Sequence, residues 1–540
     1  MNRAPQREAP GESADQRASQ ESLSELSWLA VLENTRPYHM SLVVTLGFWM
    51  LCYAVALNHA MWRDEWQPLV AARDTQGYAE FLEANQWMGM AGFFSFCWLV
   101  MQSGLGIWFF KLVLVTIAAV GIWVFCLHAP FSRMQKVFFA FGYFPFYEYG
   151  AIMRNYGIIF TTSVIGITIL ASPKMNPVAF GVCLAAMAQT HTFGVMLSLV
   201  FGATFLYELH RRRALTCSYF ARPASVTGLG IAMISIVVAA TPLVRAVFTE
   251  PEWVFAALTG GVVRTDSYFN RFFESLSYPA RGWLPVPLFG AWNSHLLDLW
   301  PWSQVVVGLL ILGAVVPILA GSSTATIFFT LGLAALGALF TQFPVTNMRH
   351  HGHYFVMLVL AFWLRESIGS QDARDVGRRG VLKGICRMRS PLLTGLLIVH
   401  AVVGMIFTLQ EQVVPFSGSR EAAQIIRDSE PPDVLVIADI DAWAMPVSGF
   451  LGRPVYVASR REFGSFVKID PMRRWLPLRP DELAQIIEER LAVEQRDVVL
   501  VTNYPISVPA DLGSPIGVVD RSITDERYFI FRIRYRRQGR

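Results

Sequence analysis

The chain has 540 residues, 54% of them hydrophobic and 16% charged, with a mean hydropathy of +0.41. That is far more apolar material than one soluble core uses. The formal net charge of +5 is small, and the basic residues sit in short loops between apolar runs. They read as topology signals and exclude a nucleic-acid partner. The fold class implied is a polytopic α-helical membrane protein carrying a small α/β domain at its C-terminal end.

Residues 1 to 37 are polar with mixed charge, the composition of a disordered tail, and no cleavable signal precedes the first apolar run at 41 to 58. A first outer loop is expected at 59 to 88, opening on Trp62-Arg63-Asp64-Glu65-Trp66. Two carboxylates beside a helix end are costly near lipid, so this pair reads as part of a site. The run at 89 to 103 is short for a span of roughly 20 residues. If it lies on the surface while 106 to 127 crosses, Arg133 and Lys136 face the cytoplasm, as basic loop residues prefer.

Further spans are expected at 136 to 150, 157 to 171, 177 to 190, 193 to 208 and 224 to 246. They are followed by 303 to 320, 325 to 341, 349 to 364 and 391 to 408, for about eleven in all. His210-Arg211-Arg212-Arg213 and the loop from Arg365 to Arg389, with Arg374, Arg378, Arg379, Lys383 and Arg387, mark the cytoplasmic side. A long outer loop at 248 to 302 carries Trp253, Trp283, Trp292, Trp300 and Trp302, an interfacial dressing. The transmembrane module is thus 38 to 408, with a cytoplasmic N-terminus and an extracytoplasmic region at 409 to 540. There, β-branched runs at Val434 to Ala438, Val455 to Ala458, Val498 to Thr502 and Tyr528 to Tyr535 alternate with helical patterns at 419 to 428 and 480 to 493. An accessory role is expected for this domain. None of the six cysteines falls in it, which argues against a disulfide framework.

On this topology four polar clusters meet one surface: Asp64 with Glu65, Glu148 through Arg154 to Tyr156, Gln189 to His191, and Arg349 to His353. A carboxylate within reach of an acceptor hydroxyl can take its proton, and a second carboxylate can raise its pKa or hold the acceptor; the alternative is a wet interfacial loop. Arg349, His350 and His353 supply cationic or N–H donors for a phosphate leaving group; the alternatives are interfacial anchoring or a metal site. Histidines at i, i+1 and i+3 share one helix face poorly, so no metal is expected. Glu148 and Arg154 could pair with each other instead, and His191 could be a satisfied connection residue.

The order of these features resembles the membrane-integral glycosyltransferases of the GT-C superfamily, especially the branch of protein O-mannosyltransferases and the aminoarabinose transferase of lipid A. The residues carrying the resemblance are WRDEW, FLEANQWMGMAGFFSFCWLV and FYEYGAIMRNY; where relatives often have a His-Pro element, this chain has Asn85-Gln86-Trp87. The resemblance implies a multi-pass protein of the inner membrane that transfers a sugar from a polyprenyl-phosphate carrier to an acceptor on the outer face, with inversion and no cofactor. It implies Asp64 as general base, Glu65 as its partner or an acceptor ligand, and Arg349 with His350 or His353 at the lipid phosphate, assisted by Arg154. Glu148, Tyr156 and His191 would be further substrate contacts. Two rival classes are a polysaccharide polymerase or ligase using Arg264, Asp266, Arg271, Arg281 and His295 of the late loop, and a transporter or flippase. The latter predicts charges deep in several spans, where Lys111 is the exception to nearly charge-free segments.

Overall fold

The computed structural model describes residues 37–85, 91–248, 267–288, 291–342, 347–368, 388–470, 473–474 and 476–536. The expected tail, Gln86 and Trp87, Trp253, Arg264, Asp266, and the basic loop with Arg374, Arg378, Arg379, Lys383 and Arg387 lie outside the described residues.

The chain enters through α1 (Pro37–Asn58), then turns into three short helices, α2 (Arg63–Asp74), α3 (Tyr78–Asn85) and α4 (Ala91–Gln102). Asp64 and Glu65 in the first turn of α2 and Arg73 in its last complement the helix dipole. With 12 residues, α4 is about 18 Å long at 1.5 Å per residue, well short of a bilayer core. Phe93 N bonds to Gln189 O at 3.0 Å, and Gln102 Nε2 bonds to Ala72 O of α2 at 3.0 Å. Both ends of α4 are therefore held at the same end of the bundle, and it runs along that surface.

Next come α5 (Ile107–His128) and α6 (Arg133–Ala140), which leads past Gly142 into a π-helical segment, Tyr143–Ala151. Pro145 lies in its first turn, where a missing N–H costs least. The i to i+5 pattern stacks Tyr143 over Glu148, and the Tyr143 hydroxyl donates to Glu148 Oε1 at 2.5 Å. The bundle continues with α7 (Tyr156–Ala171), α8 (Pro177–Ala188), α9 (Thr192–Arg211) and α10 (Pro223–Phe248). Two short helices, α11 (Tyr268–Ser275) and α12 (Tyr278–Trp283), precede α13 (Pro301–Leu319), α14 (Ser323–Gln342), α15 (Met348–Ile368) and α16 (Arg389–Val413).

Seven of these helices, α1, α5, α9, α10, α13, α14 and α16, are long and apolar enough to cross a membrane. The protein is a multi-pass membrane protein. The remaining segments assigned as spans from sequence are α6 with its π-helical extension, α7, α8 and α15. Every residue of α15 from Met348 to Leu364 is buried, so its polar N-terminal turns are shielded from lipid by neighbouring helices, the condition under which such residues are tolerated at membrane depth. Gly352 is small because a Cβ there would collide with Phe144 and the Tyr149 hydroxyl of the π-helical segment.

Lys111, in the second turn of α5, is a capping residue. Its ammonium donates to Ala56 O at 2.6 Å and His59 O at 3.0 Å, carbonyls at the end of α1 left without intrahelical donors.

The C-terminal region folds as an α/β unit: α17 (Ser419–Ser429), β1 (Val436–Ala438), α18 (Asp441–Leu451), β2 (Val455–Val457), β3 (Glu462–Gly464), α19 (Pro480–Glu494), β4 (Val498–Thr502), β5 (Gly513–Val519) and β6 (Tyr528–Ile533). The sheet order is β3-β2-β1-β4-β6-β5. The central β2, β1 and β4 are parallel, while β3, β6 and β5 are added antiparallel. One apolar layer lies on each face of the sheet.

Lys111→Met keeps the apolar stem and removes the donor. The His59 carbonyl keeps a donor in Arg420, so the Ala56 carbonyl is the one stranded, at a cost of about 1–3 kcal/mol; we expect a lower melting temperature in detergent with unchanged helix content, checked by circular dichroism against temperature.

Candidate active site

Asp64 and Glu65 are consecutive in the first turn of a helix, so their side chains leave the axis about 100° apart. The structure sends them in different directions. Asp64 stays 30% exposed; Glu65 is fully enclosed.

Asp64 Oδ2 lies 2.9 Å from Arg349 Nη2 and 3.2 Å from Arg154 Nη1. Arg154 also donates to the Asp64 carbonyl at 2.7 Å. Burial alone would raise the Asp64 pKa, but Arg154, Arg349 and Arg63 outweigh it and hold the group below the usual carboxylate range. Asp64 is charged, and a poor proton acceptor while both guanidiniums contact it.

Arg349 opens α15 at 5% exposure. Its guanidinium sits against two indoles that touch each other, 5.0 Å from the Trp62 ring and 5.4 Å from that of Trp292, the two rings meeting edge to face at 5.0 Å. Nη2 is spent on Asp64, while Nε and Nη1 are buried without a hydrogen-bond partner. The Tyr149 hydroxyl fixes the Arg349 carbonyl at 2.8 Å. Glu148 does not pair with Arg154. It accepts from Trp292 Nε1 at 2.9 Å as well as from Tyr143, and so props the indole against Arg349.

Beside the arginines is a patch of imidazole and aromatic rings. His350 Nε2 bonds to the Tyr156 hydroxyl at 2.8 Å, and Arg154 lies over the Tyr156 ring at 5.8 Å. His353 stacks on Tyr149 at 5.6 Å. His191 caps α9, accepting from Phe193 N at 3.3 Å, with its ring 6.3 Å from that of His350. Burial first, then the charges of Arg154, His353 and Arg349, push His191 down to about 3, so its imidazole is neutral. His350 Nδ1, His353 Nε2 and Asn155 Oδ1 are enclosed and unpartnered. His351 turns away and stacks on Tyr278 at 4.4 Å, as the unequal spacing of this histidine run requires. Among the described residues no group of three or more His, Cys, Asp or Glu is arranged to hold a metal ion.

Glu65 is outside this centre. One oxygen accepts from Met153 N at 2.5 Å. The other accepts from Trp62 N at 3.0 Å and lies 2.8 Å from His59 Nε2. His59 Nδ1 lies 2.6 Å from Glu411 of α16, which also accepts from the Tyr147 hydroxyl at 2.8 Å. Both Glu65 oxygens are thus occupied from within the protein.

The C-terminal domain, expected to be accessory, closes one side of the centre. Arg63 N bonds to Glu526 at 2.8 Å, and the Arg63 guanidinium bonds to Asp525 at 2.8 Å. Gln67 exchanges two bonds with the Val467 backbone, at 2.8 Å and 3.1 Å. The Phe416 ring reaches His59 at 4.7 Å and Trp292 at 5.0 Å. Residues of the late loop are committed locally: Arg281 binds Asp298 at 2.8 Å, and His295 binds Leu284 O at 2.6 Å.

The four polar clusters therefore share one end of the bundle. His59, Glu411 and Trp292 join them unanticipated by the sequence reading. The available signal was a histidine immediately after the first span and a lone glutamate near the end of the last.

Trp292→Phe keeps a ring over Arg349 but withdraws the N–H from buried Glu148. Glu148 Oε1 keeps its bond from the Tyr143 hydroxyl, so the loss is that of one hydrogen bond, about 0.5–1.5 kcal/mol; this variant is expected to melt earlier, with a smaller further loss when Glu148→Gln is added, in thermal unfolding of the four-protein cycle.

No protein-family model matches the chain, and no curated protein matches it. Two solved structures of ArnT from Cupriavidus metallidurans are similar in trace. The one bound to undecaprenyl phosphate is 13% identical, covers 91% of this chain and 97% of its own, and has a TM-score of 0.46. The apo structure is 13% identical, covers 94% and 98%, and has a TM-score of 0.47. At that identity and TM-score the likeness assigns no activity and no residue to this protein.

Proposed function

We propose that the chain is an integral glycosyltransferase of the inner membrane, with the N-terminus cytoplasmic and the C-terminal domain outside. It moves a sugar from a polyprenyl-phosphate-linked donor to an acceptor on the outer face, with inversion. The supporting observation is that a buried arginine, Arg349, and a partly buried one, Arg154, meet a single carboxylate, Asp64, while two N–H donors of Arg349 remain unused. This corner of the site carries an excess of positive charge and unspent donors, suited to a phosphate.

In the reaction, the acceptor oxygen bonds to the anomeric carbon as the bond from that carbon to the phosphate oxygen breaks. The leaving polyprenyl phosphate gains charge, which Arg349 and Arg154 neutralise, with His350 or His353 donating a hydrogen bond. The acceptor proton goes to Asp64. Donor binding prepares this step, because a phosphate that draws the guanidiniums off Asp64 removes the charges that depress its basicity. Glu148 acts through Trp292; Tyr156 and His191 line the sugar side. No cofactor takes part.

Of the rivals, the polymerase or ligase reading loses Arg281 and His295 to local bonds. The transporter reading loses Lys111 to capping of α1.

The test uses full-length protein in nanodiscs with polyprenyl phosphate. Arg349→Ala is expected to weaken binding tenfold or more, about 1.4 kcal/mol or above. Asp64→Asn is expected to bind at least as tightly as wild type, yet fail to restore the envelope glycan that mass spectrometry finds missing in cells lacking the protein. Unchanged binding by Arg349→Ala overturns the proposal.

A further inference from the structure

The chain uses two carboxylates, one imidazole and one tyrosine between the first loop and the last span for no step of the reaction above. Glu65 Oε1 holds Met153 N at 2.5 Å, immediately before Arg154. Glu65 Oε2 holds Trp62 N at 3.0 Å, two residues before Asp64. One side chain therefore sets the position of Asp64 relative to its arginine partner. Behind it, His59 contacts Glu65 with Nε2 and Glu411 with Nδ1, and all three residues are buried.

We infer that Glu65, His59 and Glu411 form a positioning clamp, in which an imidazolium bridging two buried carboxylates fixes the loop of Asp64 against the loop of Arg154. The inference rests on the function proposed above. A neutral imidazole has one N–H and one lone pair, so it can donate to only one of the two carboxylates. Bridging both takes the doubly protonated ring, and loss of that proton sets a lone pair against a carboxylate.

The surroundings agree. Facing His59 are Glu65 from α2 and Glu411 from α16, with Lys111 of α5 and Arg420 of α17 both donating to the His59 carbonyl, at 3.0 Å and 2.6 Å. Phe416 covers the ring at 4.7 Å, and Tyr147 holds the far oxygen of Glu411. Burial alone would lower the His59 pKa, but Glu65 and Glu411 outweigh it and push it up to about 9. A folded-state value raised above the ordinary 6.5 means that the contribution of the clamp is complete below pH 6.5 and lost as pH rises through about 9. Glu526 of the C-terminal domain, pushed up to about 7 chiefly by burial, titrates earlier and belongs to the contact with Arg63.

The experiment is binding of polyprenyl phosphate to full-length protein in nanodiscs between about pH 6 and 10, for wild type, Glu411→Gln, His59→Gln and Arg349→Ala. Wild type is expected to weaken tenfold or more as pH rises through about 9. Glu411→Gln removes one of the two charges holding the proton, and its fall is expected about a unit or more lower. His59→Gln is expected to bind weakly, with no fall in that range. Wild-type binding that stays flat across the range overturns the clamp without recourse to any variant, and so does a Glu411→Gln fall at the wild-type pH. Arg349→Ala separates the two ideas. If it binds normally, the functional proposal fails, and the same comparison read by melting temperature, which needs no substrate, still decides whether Glu411 sets the pH at which the clamp opens.

Discussion

Two adjacent carboxylates on one helical turn cannot face the same way, and the chemistry of this protein depends on that constraint. Because α2 begins at Arg63, Asp64 projects toward the arginines and Glu65 toward the bundle interior. The outward group keeps partial access to solvent and meets two guanidinium cations. The inward group accepts three hydrogen bonds from fixed donors, the arrangement that holds a carboxylate ionised despite burial. Burial alone would raise the Glu65 pKa, but His59 and the Trp62 and Met153 amides keep it low. One acid is thus kept adjustable by the immobility of its neighbour.

That division explains why the C-terminal domain packs where it does. A helix of 12 residues at the membrane surface has little cooperative stability of its own, and α2 carries the reactive side chain. Phe416, Gln67 with Val467, and the Arg63 contacts with Asp525 and Glu526 tie it to a folded α/β unit. The neighbouring edge of α2 is closed by Trp66, against which Gly449 packs so closely that a Cβ would strike the ring. A soluble domain thus gives a surface helix the rigidity that the bundle supplies to α15.

Much of this was legible in the sequence. The apolar runs located the seven helices long and apolar enough to cross a membrane, and the β-branched runs located the three parallel strands and β6, because burial on both faces writes itself as continuous hydrophobicity. What stayed hidden has physical reasons. Strand β3 has three residues, β5 is interrupted by Pro515 and Gly517 with a register shift between them, and α18 contains Pro446; each breaks the periodicity a reader relies on. The π-helical segment has no composition of its own. Within the site, Asp64, Arg154 and Arg349 could be nominated because charges at membrane boundaries are conspicuous. The separate orientation of Glu65, and its link to Glu411 at a sequence separation of 346 residues across His59, with 352 between His59 and Glu411, depend on tertiary contacts that no local pattern encodes.

The identity of the cation at position 349 carries a final argument. Lysine would supply the same charge, but as a compact, strongly hydrated ammonium on a flexible stem. The Arg349 guanidinium is planar and packs against the corner where Trp62 and Trp292 meet, where it is desolvated yet still directs Nη2 at Asp64 and leaves Nε and Nη1 available. A fork of that kind can hand over from a carboxylate to a phosphate by a small rotation while its indole contacts persist. The indoles in turn are aligned by groups outside the centre, Trp292 by Glu148 and both rings by the Phe416 edge. The path from the C-terminal domain to the reactive carboxylate therefore runs through packing as well as through the imidazole clamp, and the two routes meet at Trp62, whose backbone N–H is bound by Glu65 and whose ring holds Arg349.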